Sequence, residues 1–308
     1  MVHAKLSERS EYVREGNVYS ALQIDVGLVR PGERYLPYGQ LSQNLEFRVA
    51  NGQPLALDLV LMSGEDSTFL ITALVDYQQV PFTLDGQEGL LHEIEIQPGK
   101  DLFIPTTLNI AGASAHDVMF LVFKDPYLRP DDLDVRQADS CLMNGFRTVV
   151  VVGEDDHPAY AATPDAVGAP PPPGVDWGAP LLLANFNGPH PSQGAGQMSF
   201  LQVGQRGQQF PYKIWMSNLG DVTPRPFDYA LVKFLNYRQA PFSQKDALFV
   251  HLDEKQEVLL DDVLLLPDAG GAAEAQLLYV VDPYQSLLRQ EVRDPFVHGS
   301  GCLAIKIP

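Results

Sequence analysis

The chain has 308 residues, in which 21 Lys and Arg face 39 Asp and Glu, a formal charge of −18. Nucleic acid and anionic membrane surfaces select clustered positive charge, so this balance argues against both as partners. Hydrophobic residues make up 45% of the chain, enough for ordinary cores, and no apolar run approaches the roughly 18 residues that span a bilayer as a helix.

In chain order, the opening MVHAKLSERSEYVREG carries charge and lacks the apolar stretch of a signal peptide. With two cysteines and no Asn-x-Ser/Thr acceptor, the expectation leans cytoplasmic, or extracellular if the chain starts after a removed leader. Strand signals follow. Asn44–Val49, Leu55–Met62 and Phe69–Val75 are short apolar runs bounded by turn formers, with Pro31-Gly32, Asn51-Gly52, Asp85-Gly86 and Pro98-Gly99 as punctuation. Leu90–Ile96 alternates, placing His92, Ile94 and Ile96 on one face and Glu93 and Glu95 on the other. Val118–Phe123 and Gln276–Val281 are apolar on both faces, as central strands of a sandwich are. The nearest approach to a helix is Tyr284–Val292.

The chain repeats itself. ALVDYQQVPF at Ala73–Phe82 matches KFLNYRQAPF at Lys233–Phe242, an offset of 160 that aligns Tyr77 with Tyr237 and Pro81 with Pro241. Asp125-Pro126-Tyr127 matches Asp282-Pro283-Tyr284 at 157, and Cys141-Leu142 matches Cys302-Leu303 at 161. Between the copies, Glu154–Gly178 is acidic and then rich in Ala, Pro and Gly, with Pro170–Pro173 consecutive, a composition suited to an extended spacer. The expected architecture is all-β: two tandem antiparallel β-sandwich, Ig-like domains from an internal duplication. The boundaries are 17–153 for the first, 154–178 for the linker and 179–308 for the second.

Catalytic signatures are absent. Gly112-Ala113-Ser114-Ala115-His116 lacks the second glycine of a nucleophile elbow, and neither His-Glu-x-x-His nor Cys-x-x-Cys occurs. At the ungapped offset His92 meets Leu252 rather than His251, so it reads as a core histidine and not as a ligand. Cys141 and Cys302 read as small buried thiols rather than a disulfide. Asp131, Asp132 and Asp134 read as a solvated acidic loop, with Ca²⁺ ligation as the alternative. Asp-Pro-Tyr reads as a turn device, and Tyr77-x-Gln79-x-Pro81-Phe82 as a strand ending on an edge proline. Trp215 belongs to a strand core and Trp177 to the linker exit. No catalytic, cofactor-binding or metal residue is assigned.

The reading is a non-enzymatic structural or protein-interaction module with a protein as partner. The alternative is an extracellular carbohydrate- or surface-binding adhesin-like protein with an optional Ca²⁺ site.

Overall fold

Runs of β-branched and aliphatic residues with period-two alternation cannot hold a helix face, and the chain forms strands wherever they occur. The computed structural model describes residues 1–3, 6, 10–13, 24–35, 46–126, 143–153, 162–175, 181–184, 190, 201–219, 225–243, 245–285, 297–299 and 303–308. They fall into two units. Unit 1 takes the described residues up to 153 together with Tyr284, Gln285 and Val297; unit 2 takes those from 162 to 283 and from His298 onward.

Unit 1 comprises β1 (Val2–His3), β2 (Glu11–Val13), β3 (Ile24–Val29), β4 (Glu46–Val49), β5 (Leu55–Ser63), β6 (Ser67–Val75), β7 (Gln78–Val80), β8 (Phe82–Leu84), β9 (Gln87–Gly89), β10 (His92–Ile96), β11 (Asp101–Leu108), β12 (Ala115–Lys124) and β13 (Met143–Val152). One sheet has the order β1-β10-β6-β12-β13-β4, with β7 on β6; the other is β3-β5-β11-β8-β9, with β2 on β11. Leu59, Phe69, Phe82, Ile94, Ile104 and Phe120 anchor the core between them.

Unit 2 comprises β14 (Ala166–Val167), β15 (Leu181–Ala184), β16 (Leu201–Val203), β17 (Gln209–Ser217), β18 (Phe227–Leu235), β19 (Arg238–Ala240), β20 (Ala247–Leu252), β21 (Glu257–Leu265), β22 (Gly271–Val281), β23 (His298–Gly299) and β24 (Leu303–Ile307). Its sheets are β14-β20-β18-β22-β24-β16, with β19 on β18 and β23 on β22, and β15-β17-β21. Ile214, Leu231, Val250, Leu264, Leu277 and Ile305 form its core. The protein is therefore an all-β, Ig-like sandwich fold. The two units share one strand order, β1-β10-β6-β12-β13-β4 matching β14-β20-β18-β22-β24-β16 place for place. The central ladders are antiparallel, while the outer strands β1, β4, β14 and β16 join in parallel.

Register refines the sequence alignment. His92 pairs with Ile71 and Leu248 with Leu231, and those partners are 160 apart, so His92 corresponds to Leu248 rather than Leu252. The slip arises because β8 and β9 stand between β7 and β10 in unit 1, whereas in unit 2 Phe242 and Lys245 close that connection by a single bridge. Likewise Thr148 pairs with Val118 and Leu303 with Ala275, which are 157 apart, so β13 and β24 correspond at 155 and not at the 161 of the cysteine match. Cys141 and Cys302 themselves lie outside the described residues, as do Trp177, Asp131, Asp132, Asp134 and most of Tyr284–Val292.

Two local expectations also change. Asp76 and Tyr77 have φ of 48° and 67°, and Asn236 and Tyr237 have 50° and 66°. Each pair makes a two-residue hairpin turn of the primed type, so the Tyr77 motif is a tight hairpin and Pro81 follows a three-residue β7. Within the stretch read as a spacer, β14 adds to β20, and Ala169 exchanges two backbone bonds of 2.9 Å with Glu257. Pro170–Pro173 then supply no N–H, and strand pairing stops there.

Candidate functional site

Alternation in β10 sends Ile94 and Ile96 into the core and leaves Glu93 and Glu95 on the other face. Glu95 lies opposite Thr68 on β6. Thr68 donates its N–H to Asp125 Oδ1 at 3.0 Å, and Asp125 returns its own N–H to the Thr68 carbonyl at 2.7 Å. The Asp-Pro turn that ends β12 thus brings Asp125 to the corner where Glu95 stands, with Asp125 at φ 45°. Asp66, at the β5–β6 turn, completes a cleft of about 700 Å³ with Tyr12 and Leu6 on its wall. Four carboxylates line it (Asp66, Glu93, Glu95, Asp125), with no Lys or Arg among its described lining residues, and Lys100 Nζ lies 6.0 Å from the Tyr12 ring centroid.

The matching corner of unit 2 gives its carboxylates cationic partners. Register places His251 at the position of Glu95, and Asp228 at that of Thr68. His251 Nδ1 sits 2.7 Å from Asp228 Oδ1, and Arg225 donates to Asp282 Oδ2 at 2.7 Å. The Asp228 hydrogen bond raises the His251 pKa, which favours the imidazolium. Asp228, Asp253 and Asp282 stand at this corner too, with His251 and Arg225 as their partners.

A buried polar knot stands at the opposite end of β12 in the same unit. Arg147 grips Asp117 with Nε and Nη2, each at 3.0 Å, and both side chains are fully buried. Tyr77 donates its hydroxyl to the same carboxylate, as does the Tyr284 backbone N–H at 2.6 Å. The Tyr77 and Tyr284 rings meet edge to face with centroids 5.3 Å apart. Burial, and then the Asp117 charge, push the Tyr77 phenol well above its usual range, so it stays a donor. Unit 2 repeats the motif in weaker form: Asn236 Oδ1 caps the Glu274 N–H at 3.0 Å, and Tyr237 reaches Glu274 at 3.4 Å. Every carboxylate oxygen of Asp117 is committed to structure, which leaves none to receive a ligand.

The residues set aside as a failed elbow do come together. His116 Nε2 lies 3.2 Å from Ser114 Oγ, and its Nδ1 lies 2.6 Å from Asp76 Oδ2. Two features tie this trio to architecture. Asp76 Oδ1 caps the Asp117 N–H at 3.1 Å, the task Asn236 performs in unit 2 without a histidine. Nε2 also faces the Gly112 carbonyl at 3.4 Å, and the Asp76 bond raises the His116 pKa, favouring an imidazolium that donates from both nitrogens rather than a free base.

His92 is a core residue. It is fully buried, and Nε2 lies 3.1 Å from the carbonyls of both Phe82 and Gly89. Two acceptors require the Nε2–H tautomer, and desolvation lowers its pKa, so the ring is neutral. Trp215 is buried too, donating to Glu257 Oε2 at 3.0 Å. Among the described residues, no group of three His, Cys, Asp or Glu is placed to hold a metal ion. Sequence alternation puts the two glutamates of β10 together on the face opposite His92, Ile94 and Ile96. It could not join them to Asp66 and Asp125, because that junction depends on the β6–β10 and β6–β12 registers.

No family model matches the chain, and no curated protein does. Among solved structures, it is similar to the CARDB domain of a Pyrococcus furiosus protein at 15% identity and a TM-score of 0.24, over 42% of this chain and 94% of that one. It is similar to Escherichia coli alpha-2-macroglobulin at 12% identity and a TM-score of 0.27, over 94% of this chain and 22% of that one. Red sea bream transglutaminase matches at 10% identity and a TM-score of 0.24, over 94% and 32% respectively. Likenesses at these scores carry no argument about what this chain does. No helix among the described residues is long and apolar enough to cross a membrane.

Proposed function

We propose that this protein is a non-enzymatic interaction module of two duplicated β-sandwich units, and that the cleft of unit 1 receives a basic, extended segment of a protein partner. One observation carries the reading: a cleft with four carboxylates and, among its described lining residues, no Lys or Arg, at a corner where the sister unit places His251 and Arg225. Clustered like charges raise the energy of the empty site, and an incoming Lys or Arg relieves that repulsion. The apolar wall of Leu6 and Tyr12 suits the aliphatic stem of such a side chain.

The test compares two charge reversals of equal net effect. Glu95→Lys lies in the cleft, and Glu254→Lys lies on an exposed site of unit 2. With a labelled nonapeptide of alternating Lys and Leu as probe, Glu95→Lys weakens binding about tenfold, while Glu254→Lys leaves it near wild type. Equal weakening by both variants means diffuse attraction to an acidic protein and contradicts a defined site.

A further inference from the structure

The two units fill one sheet edge differently. In unit 1 the outer edge of β11 is covered along its length: Val13 and Glu11 pair with Asp101 and Phe103, Asp85 donates to the Pro105 carbonyl at 2.8 Å, and Thr83 pairs with Thr107. Its counterpart β21 pairs with β17 on one side only. The β17 side is served by the even residues, as the Leu266 N–H bond to the Gln208 carbonyl shows. Glu257 turns the other way, to Ala169, so the outward backbone groups belong to Glu257, Leu259, Asp261, Val263 and Leu265.

Beyond Glu257 no strand covers that edge among the described residues. The chain leaves β20 at Gly168 and touches β21 through Ala169 alone, and the β8–β9 hairpin has no counterpart among the described residues. The backbone groups of Leu259 and Asp261 have no outward partner among the described residues, and the Val263 carbonyl takes only the Lys233 ammonium, at 2.9 Å. Sheet edges of soluble proteins are commonly guarded by charge or proline. Here the Asp261 side chain, 83% exposed, guards the middle of the edge, and the guard lapses at Val263 and Leu265, which are 37% and 69% exposed.

A groove of about 580 Å³ lies at the Val263–Leu265 end of this edge, with Leu235, Pro241, Val263 and Leu265 in its walls. In a chain of charge −18 its lining holds Lys233 and Arg238 and no carboxylate. Lys233 is spent on Asp262, while Arg238 is exposed at the groove.

We infer that the outer edge of β21, from Leu259 to Leu265, docks an extended segment of another protein as an added antiparallel strand, with apolar residues along the groove and an acidic residue on Arg238. With Lys233 already held by Asp262, exposed Arg238 selects a segment that carries an acidic residue beside its apolar ones. The covered edge of unit 1 shows the form the occupant takes: β8 runs antiparallel to β11 and buries Phe82 and Leu84. A second copy brings its own −18 to the contact and is disfavoured. The inference rests on the interaction-module reading but uses the other unit, so the cleft and the edge fail separately.

The probe is a capped peptide with the sequence of residues 82–89, FTLDGQEG, which occupies the corresponding edge of unit 1. Added to the full chain, it shifts the methyl signals of Val263 and Leu265 and slows amide exchange at Leu259 and Val263. Asp261→Pro deletes one outward N–H at the position where unit 1 carries Pro105. It abolishes these changes while leaving the melting temperature near wild type. Arg238→Glu keeps the fold and weakens binding about tenfold. Unperturbed methyls, or equal binding by wild type and Arg238→Glu, overturn the inference. A wild-type dimer in sedimentation that Arg238→Glu or Asp261→Pro converts to monomer also overturns it, because the occupant is then a second copy. Loss here with cleft binding intact leaves the module reading standing; loss of both removes it.

Discussion

Asp117 accepts hydrogen bonds from Tyr77, from two nitrogens of Arg147 and from the Tyr284 backbone, in a site from which water is excluded. Removing one member of a buried ion pair strands the other, at a cost of about 3–5 kcal/mol. Asp117→Asn therefore lowers the urea midpoint by a corresponding amount; a loss under about 1 kcal/mol, the value of an exposed pair, contradicts this picture. The two buried histidines of unit 1 give opposite pH slopes. Burial lowers the folded-state pKa of His92, so its contribution is present above the unfolded value of roughly 6.5 and is lost as pH falls below it. His116 is raised by Asp76, so its contribution is complete below roughly 6.5 and is lost as pH rises through the folded value. Urea midpoints between about pH 5 and 8 check both signs. His92→Gln flattens the acid side, and Asp76→Asn flattens the alkaline side; unchanged slopes in either variant contradict the assignment.

At the scale of elements, what was legible in the sequence is what local pattern controls. The apolar runs at Leu55–Met62, Phe69–Val75 and Val118–Phe123 lie within β5, β6 and β12, and Gly32, Gly52, Gly86 and Gly99 all have positive φ at the turns marked for them. Local pattern does not reveal pairing. That His92 answers to Leu248 depends on a connection four residues shorter in unit 2, and that β14 adds to a sheet depends on backbone groups β20 presents from 80 residues away. Asp76-Tyr77 misled for a different reason. A tyrosine at positive φ is costly in isolation and is held here by its hydroxyl on Asp117, a partner 40 residues away. The cleft was half legible, since alternation put Glu93 and Glu95 on one face, but Asp66 and Asp125 join them only through tertiary register.

For the whole molecule, two units of one strand order present grooves of different character among the described residues: four carboxylates in unit 1, and apolar residues with an exposed Arg238 in unit 2. On the proposed reading the two units hold parts of partners, and the Ser114, His116 and Asp76 trio caps a loop and a turn. The most direct measurement is affinity purification from the native cell at physiological salt, with wild type and the Asp66→Lys, Glu95→Lys double variant side by side. The account predicts one stoichiometric protein, bearing a basic extended segment, that is retained by wild type and released by the variant. A partner held equally by both, or a hydrolytic turnover that survives repurification and disappears in Ser114→Ala, would contradict it.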